Sequence, residues 1–280
     1  MNIGGYDLYP IETGRFALDG GAMFGIVPKP LWGKANPADD RNRIQLAARG
    51  LLLVGHGRKI LIDNGNGSKW SPKLIDIYKL DYTQSELNKS LKQVGLTPAD
   101  ITDVLLTHLH FDHAGGSTVR EGDKLLPAFP NARHYVQKAH WDQARHPTEK
   151  DRGSFMEDDY MPLMEEGVLQ LVDGEFEIFP NVHLIVLNGH TAAQQVPKIS
   201  EDGKTLIYCC DLFPTTTHIP LPYIMAYDLR PLVTLDEKKK ILKKAVDESW
   251  ILYFEHDPNT VAGKVKLTEK GYVFGGEVAW

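Results

Sequence analysis

The feature that most constrains this chain is a histidine cluster directly after a short apolar run. The apolar residues at 104–106 lead into the sequence THLHFDHAGG over 107–116, which holds three histidines and an aspartate within six residues. Imidazole nitrogens and carboxylate oxygens bind divalent transition metals in proteins. The alternative is a solvated, histidine-rich turn that binds no metal. Only 11 of the 280 residues are histidine, however, so chance rarely produces this spacing. The pattern therefore predicts a metal site at the end of a buried β-strand.

Other β-rich runs of the chain also end at residues suited to a metal site. Five runs are followed, within three residues of their ends, by a histidine or an aspartate: Asp63, His108, His190, Asp211 and His256. In layered α/β proteins, ligands gather at the carboxyl ends of the strands. We therefore expect these five strand ends to converge on one cleft.

The order of predicted elements indicates an α/β fold in a single domain over 1–280, because β-rich runs alternate with helical patterns. The predicted strands cover 51–54, 59–62, 103–107, 133–137, 182–187, 205–210 and 250–255. The predicted helices cover 71–80, 85–94, 139–145, 161–166 and 236–249. Glycine and proline interrupt the segment at about 20–49. We predict an irregular loop there, which either covers the site or makes a homodimer contact.

Composition and charge argue against several classes of protein. The formal net charge is −6, and the basic residues form no patch for a nucleic-acid backbone. No apolar run reaches the roughly 18 residues that span a bilayer. The N-terminus shows no secretory signal, and the only cysteines, Cys209 and Cys210, are adjacent. We therefore expect a cytoplasmic protein that binds neither membrane nor nucleic acid and acts on a small-molecule substrate.

These motifs resemble the metallo-β-lactamase superfamily of hydrolases. The resemblance covers roughly 50–260 and rests on the His-x-His-x-Asp-His run, Gly189-His190-Thr191, Asp211 at a strand end and the final His256. Within the superfamily, the sequences LHFDHAGG and FEHD are most similar to the branch of N-acyl-homoserine lactonases and methyl-parathion-hydrolase-like enzymes. The resemblance implies an αββα sandwich, in which two mixed β-sheets pack face to face with helices outside.

The resemblance also implies a site for two divalent metal ions. Carried over residue by residue, it names seven ligands: His108, His110 and His190 for one ion, Asp112, His113 and His256 for the other, and Asp211 as a bridge. Asp63 would orient a ligand histidine. Zinc is the expected metal, and iron, manganese and cobalt are alternatives because all accept nitrogen and oxygen ligands. Gln194 departs from the family pattern, in which a second histidine stands at that position.

Such a site implies a hydrolase. Two cations hold a hydroxide at neutral pH, which attacks a carbonyl or phosphoryl centre while the cations stabilise the developing charge. Asp112 is the candidate catalytic carboxylate, which orients the hydroxide or passes a proton to the leaving group. His218 and Tyr223 are candidate substrate contacts, with Tyr227 on the same stretch. The predicted activity is the opening of a lactone or the cleavage of a small ester.

Other activities fit parts of the pattern. The same hydroxide is able to cleave a phosphotriester or a phosphodiester. A mononuclear-iron enzyme that oxygenates a thiol or persulfide is a weaker alternative, because Asp112 and His256 complete a second metal site. A binding protein that has kept the scaffold and lost the chemistry is a further alternative, although every ligand position is present. Metal analysis and a substrate panel distinguish these cases.

Overall fold

The first β-sheet is built from the N-terminal half of the chain. The computed structural model describes residues 1–83 and 85–280. The strands of this half are β1 (Asn2–Ile3), β2 (Tyr6–Asp19), β3 (Arg43–Gly55), β4 (Arg58–Ile62), β5 (Asp103–Leu105), β6 (Thr118–Glu121), β7 (Lys124–Pro127), β8 (Arg133–Gln137) and β9 (Leu169–Val172). Seven form a mixed sheet in the order β1-β2-β3-β4-β5-β8-β9, with parallel pairing from β4 to β9. β6 and β7 pair separately as an antiparallel ribbon.

The second β-sheet is built from the C-terminal half. Its strands are β10 (Glu177–Phe179), β11 (Val182–Leu187), β12 (Gln194–Glu201), β13 (Lys204–Tyr208), β14 (Ile251–Tyr253), β15 (Ala262–Thr268) and β16 (Gly271–Glu277). They lie in sequence order across the sheet. The pair β13-β14 is parallel, and the other neighbours are antiparallel. The crossover between β13 and β14 brings their carboxyl ends to the same edge.

Eight α-helices accompany the two sheets among the described residues. They are α1 (Gly20–Phe24), α2 (Lys29–Trp32), α3 (Pro72–Tyr78), α4 (Leu87–Gln93), α5 (Phe111–Ala114), α6 (Lys138–Arg145), α7 (Glu157–Glu165) and α8 (Pro231–Asp247). Leu91 of α4 and Leu163 of α7 are buried against the first sheet. Ile241 and Leu242 of α8 are buried against the second sheet. None of the helices among the described residues combines the length and the apolar character that a membrane span requires.

A shared apolar core lies between the two sheets. Leu51 and Ile62 of the first sheet belong to the same buried cluster as Val196 and Leu206 of the second. Because side chains alternate between the faces of a strand, each sheet contributes its inner face to this core and its outer face to a helical layer. The predicted αββα sandwich of two mixed sheets flanked by helices is confirmed.

The clearest difference from the predicted elements lies before residue 55. The irregular loop predicted at about 20–49 is shorter in the structure, because α1 and α2 occupy part of it and β3 begins at Arg43. β3 pairs with β2 along nearly its whole length, from Arg43 opposite Asp19 to Gly55 opposite Tyr6. Small residues obscure the strand pattern in the sequence, and long-range pairing overrides that weak local preference.

A buried lysine fastens α8 to the segment before it. The ammonium group of Lys238 donates hydrogen bonds to the carbonyl oxygens of His218 at 2.6 Å, Pro220 at 3.0 Å and Tyr223 at 2.7 Å. Its side chain is inaccessible to solvent. Burial lowers the pKa of Lys238 to about 7, a shift that the Asp228 carboxylate opposes. The Lys238 side chain therefore joins α8 to the 218–223 segment at three carbonyl groups.

We expect Lys238→Met to lower the free energy of unfolding by about 2 to 4 kcal/mol, because three carbonyls lose their donor. Urea unfolding followed by circular dichroism measures the change. Lys239→Met is the matched control, because the Lys239 side chain is 52% exposed on the same helix; its effect should stay within about 0.5 kcal/mol. Equal stability of the two variants would contradict the fastening role of Lys238.

Candidate metal centre

The seven predicted ligands come from loops at the carboxyl ends of strands in both sheets. His108 and His110 follow β5, and the short helix α5 carries Asp112 and His113. From the second sheet, three strand ends contribute one residue each: His190 after β11, Asp211 after β13 and His256 after β14. The strand ends thus meet at one edge of the sandwich, as the positions of the polar residues predict.

Two glycines allow the histidine run to pack closely against the loop that follows β4. A Cβ atom on Gly115 would collide with the carbonyl of Asn66, and one on Gly116 with the carbonyl of Asn64. The loops are joined by hydrogen bonds from Asn64 N to His113 O at 2.9 Å and from Gly116 N to Gly65 O at 3.0 Å. This close approach brings Asp63, just before Asn64, to the back of the site.

The ligand atoms form two groups that share one carboxylate. His108, His110, His190 and Asp211 offer atoms within 4.8 Å of one another, and Asp112, His113 and His256 form a second group of this kind. Oδ2 of Asp211 lies 2.9 Å from Nε2 of His190 and 3.4 Å from Nε2 of His113. Its Oδ1 lies 3.4 Å from Nε2 of His256. Asp211 therefore stands between the groups, where a bridging ligand would stand.

The donor atoms fit two divalent transition-metal ions. Nε2 of His256 and Nε2 of His113 face each other at 3.2 Å, and Nε2 of His190 lies 3.3 Å from Nδ1 of His110. Nε2 of His108 is buried and has no hydrogen-bond partner among the described residues. Convergent imidazole nitrogens with carboxylate oxygens beside them are the ligand set of zinc and related metals. The clusters therefore suit a dinuclear divalent site.

The electrostatics of the site favour positive charge between these groups. Burial, together with neighbouring imidazoles, holds the pKa values of His108 and His110 well below the usual range, so both are neutral, as metal ligands must be. Burial also acts to lower the pKa of His190, but the Asp211 and Asp228 carboxylates outweigh it and raise that pKa to about 10. The carboxylates thus stabilise a cation at the point where the imidazoles converge.

The outward-facing nitrogens of the site histidines are held by acceptors. Nδ1 of His113 lies 3.0 Å from Oδ2 of Asp63, whose carboxylate also accepts from the backbone N and the hydroxyl of Thr107 at 2.8 and 2.6 Å. Nδ1 of His190 lies 2.8 Å from Oδ1 of Asp228. Acceptors of this kind fix the tautomer and orientation of a ligand histidine. Gln194 lies behind the site, with Nε2 at 3.5 Å from Nδ1 of His108.

Sequence reasoning missed two carboxylates that lie behind the site histidines, those of Asp228 and Glu255. Asp228 lies in a loop far along the chain from His190, and no local pattern marks it. Glu255 precedes His256 and is fully buried, with Oε2 at 3.0 Å from Nδ1 of His113. Its position in a run of buried residues at a strand end was the signal that could have drawn attention to it.

Neither of the predicted substrate contacts, His218 and Tyr223, is among the residues that line the cavity above the ligand groups. His218 is buried, with Nε2 2.8 Å from the carbonyl of Met23 and Nδ1 2.8 Å from the hydroxyl of Thr215. Its ring stacks on Phe24 at 4.7 Å, and burial lowers its pKa to about 3. Tyr223 packs edge-on against the same Phe24 ring at 6.1 Å. Both ring nitrogens of His218 are therefore engaged by other groups of the protein, which argues against the predicted contact with substrate.

A cavity of about 230 Å³ opens directly above the two ligand groups. Asp112, Asp211 and His190 form part of its floor. Apolar side chains form most of its walls: Leu18, Met23, Leu46, Phe111 and Met225. Polar groups of Tyr78, Tyr227 and Lys150 also line it. Small, largely apolar cavities with a few polar groups suit small-molecule substrates. Tyr227 is the tyrosine of the 223–227 stretch that reaches this cavity.

Comparison with known sequences points to one family. A family model described as the metallo-beta-lactamase superfamily matches residues 50–256. The chain is 28% identical over 170 residues to an N-acyl homoserine lactonase of Bacillus thuringiensis, with 60% of each protein covered. It is 24% identical over 227 residues to the N-acyl homoserine lactonase AttM of Agrobacterium fabrum, covering 79% of this chain and 82% of that protein. The chain thus spans 60% of the length of the first of these relatives.

Solved structures agree with the sequence comparison. A probable metal-dependent hydrolase from Staphylococcus aureus superposes with a TM-score of 0.90 at 31% identity, covering 100% of this chain and 99% of that protein. AidC, a dizinc quorum-quenching lactonase, shares the fold with a TM-score of 0.81 at 22% identity, covering 100% of this chain and 97% of that protein. Because the family model spans well over half of the chain and includes all seven residues of the two ligand groups, the chain belongs to the metallo-β-lactamase superfamily.

Proposed function

We propose that this chain is a dinuclear metal-dependent hydrolase that opens a lactone or cleaves a small ester. The observation that carries the proposal is the pair of ligand groups joined by Asp211 at the floor of an apolar cavity. The relatives named as lactonases support the substrate class, and the dizinc neighbour supports zinc as the metal. A cytoplasmic setting is proposed as well, because Cys209 and Cys210 are both free thiols.

Each residue of the site has a proposed role. His108, His110 and His190 would hold one ion, Asp112, His113 and His256 would hold the other, and Asp211 would contact both. Two ions bound there supply Lewis acidity and a hydroxide nucleophile at neutral pH. Asp112 lies at the cavity floor, where its carboxylate orients the attacking oxygen and carries a proton towards the leaving group. The apolar walls exclude water and contact the non-reacting part of the substrate.

A substrate panel tests this proposal. Purified protein is stripped with a chelator, reloaded with zinc, manganese, iron or cobalt, and assayed on lactones with short and long acyl chains, aryl esters and phosphotriesters. We expect two metal ions per chain, no turnover by the stripped protein, and the highest kcat/KM on a lactone or ester. A preference for phosphotriesters would replace the proposed substrate class. One iron per chain with oxygenation of a thiol would overturn hydrolysis altogether.

Tyr227 is expected to contact the substrate, since its ring lies in the cavity wall above Asp211. Burial raises the pKa of its phenol well above 10, so the group stays protonated and able to donate a hydrogen bond. We expect Tyr227→Phe to lower kcat/KM by about 10-fold, the loss of one hydrogen bond to substrate. Tyr223→Phe is the matched control, because that ring packs against Phe24. Equal kinetics of the two variants would remove the role of Tyr227.

A further inference from the structure

Glu255 is a buried carboxylate that the proposed roles leave unused. It follows β14 and directly precedes His256, and its side chain is inaccessible to solvent. Neither carboxylate oxygen has a hydrogen-bond partner within the described part of the chain. Oε2 lies 3.0 Å from Nδ1 of His113, the nitrogen that faces away from the metal site. A buried, ionised carboxylate is costly unless a positive charge stands beside it.

Two carboxylates converge on this one imidazole nitrogen. Oδ2 of Asp63 lies at the same distance of 3.0 Å from Nδ1 of His113. The Asp63 carboxylate is already held by two hydrogen bonds from Thr107. Glu255 has only the imidazole. The Nδ1–H of His113 is thus directed to the Asp63 carboxylate, and the Glu255 carboxylate stands beside the same nitrogen without a hydrogen bond of its own.

The backbone that carries Glu255 is clamped on both sides. The guanidinium of Arg49, itself buried, donates to the carbonyl of Phe254 at 2.8 Å and to that of Asp257 at 3.0 Å. The carbonyl of His256 accepts from the backbone N of Ala47 at 3.0 Å, and the backbone N of His256 donates to the carbonyl of Pro214 at 3.1 Å. The backbone on both sides of Glu255 is therefore held to β3 and to the 214 loop, which fixes the position from which its side chain reaches His113.

The other ligand histidines have weaker support of this kind. Nδ1 of His190 faces one carboxylate, that of Asp228 at 2.8 Å. Nδ1 of His256 faces a neutral acceptor, the carbonyl of Ala47 at 2.8 Å. A carboxylate behind a ligand imidazole fixes the ring and raises its electron donation to the metal. The largest number of carboxylates behind a ligand ring thus lies in the group formed by Asp112, His113 and His256, because His113 has two of them.

We propose that Glu255 is a positioning residue which acts together with Asp63 on His113 and strengthens the binding of one of the two ions, that of the Asp112, His113 and His256 group. The inference rests on the proposed two-metal function. It assigns Glu255 no contact with the substrate or with the ion itself. Its role is to orient the His113 ring and to balance the charge of the ion held by that ring.

Zinc titration of the metal-free 280-residue chain against a chromophoric chelator tests the proposal. We compare wild type with Glu255→Gln, which keeps the shape and removes the charge. The affinity for one of two zinc equivalents should fall by about 10- to 100-fold in Glu255→Gln, while the other equivalent keeps its affinity. Absorption spectra of the cobalt-loaded protein should change for the same single ion. Glu255→Asp restores the charge and should recover part of the lost affinity.

Asp103→Asn is the matched control, because Asp103 is also a buried carboxylate and pairs with Arg58. It lies at the first residue of β5, at the opposite end of that strand from the metal site. Its metal affinities should equal those of the wild type. Unchanged zinc affinities in Glu255→Gln with a lower melting temperature would reduce Glu255 to a structural role and overturn the proposal. A third zinc equivalent that disappears in Glu255→Gln would make Glu255 a ligand and overturn it as well.

The outcome is distinguishable from failure of the proposed activity. In one outcome, the wild type binds two zinc ions, Glu255→Gln binds one of them more weakly, and the wild type hydrolyses no compound of the panel. The positioning role of Glu255 would then stand, and the proposed substrate class would be wrong. A chain that turns over lactones with unchanged zinc affinities in the variant would do the reverse.

Discussion

Asp112→Asn is expected to lower kcat on the best substrate by about 10²- to 10⁴-fold, the range typical of lost general acid–base catalysis. The amide keeps an oxygen near the ion but neither accepts nor returns a proton. Asp112 lies on the cavity floor, and its oxygens are 3.9 Å from Nε2 of His113 and 3.6 Å from Nε2 of His256. Steady-state kinetics on the zinc-loaded protein, with metal content measured in parallel, provide the test.

Asp142→Asn serves as the control for this variant, because the Asp142 side chain is 55% exposed on α6 and pairs with Lys138. It should retain wild-type kcat and two zinc ions. Full activity of Asp112→Asn with two ions bound would refute the catalytic role. A loss of activity that follows the loss of one ion would instead limit Asp112 to metal binding.

Asp211→Ala should have the larger effect on the metal site. Asp211 lies within 3.5 Å of imidazole nitrogens from His108, His113, His190 and His256, so its removal takes a ligand from both groups at once. We expect kcat/KM to fall by at least about 10³-fold, more than the loss of one catalytic hydrogen-bond donor. Bound zinc should fall from two ions per chain to one or fewer, measured by elemental analysis after gel filtration.

The control for this variant is Asp236→Ala, because the Asp236 side chain is 67% exposed on α8. Retention of two ions by Asp211→Ala would show that the groups bind metal independently, and the bridging assignment would then be wrong. A fall to one ion with activity retained would support catalysis by a mononuclear site.

The residues that could be predicted from sequence are those whose placement is local. The run from His108 to His113 follows β5 directly, so its geometry depends on a few neighbouring torsions. His190, Asp211 and His256 also follow strands, and the carboxyl ends of those strands meet at one edge of the sandwich. The α/β fold class followed from the alternation of β-rich runs and helical patterns, the αββα sandwich followed from the family resemblance, and the sheets confirm both.

The residues that could not be predicted depend on contacts distant in sequence. Tyr227 reaches the cavity and Tyr223 does not, because Lys238 and Lys150 hold the carbonyls of that segment from other parts of the chain. Glu255 faces His113 because Arg49 holds the adjacent carbonyls. Strand β2 was not predicted, and residues 43–49 of its partner β3 fell in the predicted irregular loop, because the two strands stabilise each other mainly by long-range pairing.

Because the predicted ligands come from both sheets, metal binding is coupled to folding. His108, His110 and His113 leave the first sheet, whereas His190, Asp211 and His256 leave the second. Ions that bind only where both sheets meet bind the folded chain and not the unfolded one. Each tenfold rise of free metal above its dissociation constant then adds about 1.4 kcal/mol per ion to the free energy of unfolding. Metal starvation would therefore lower the free energy of unfolding as well as leave the site without its ions.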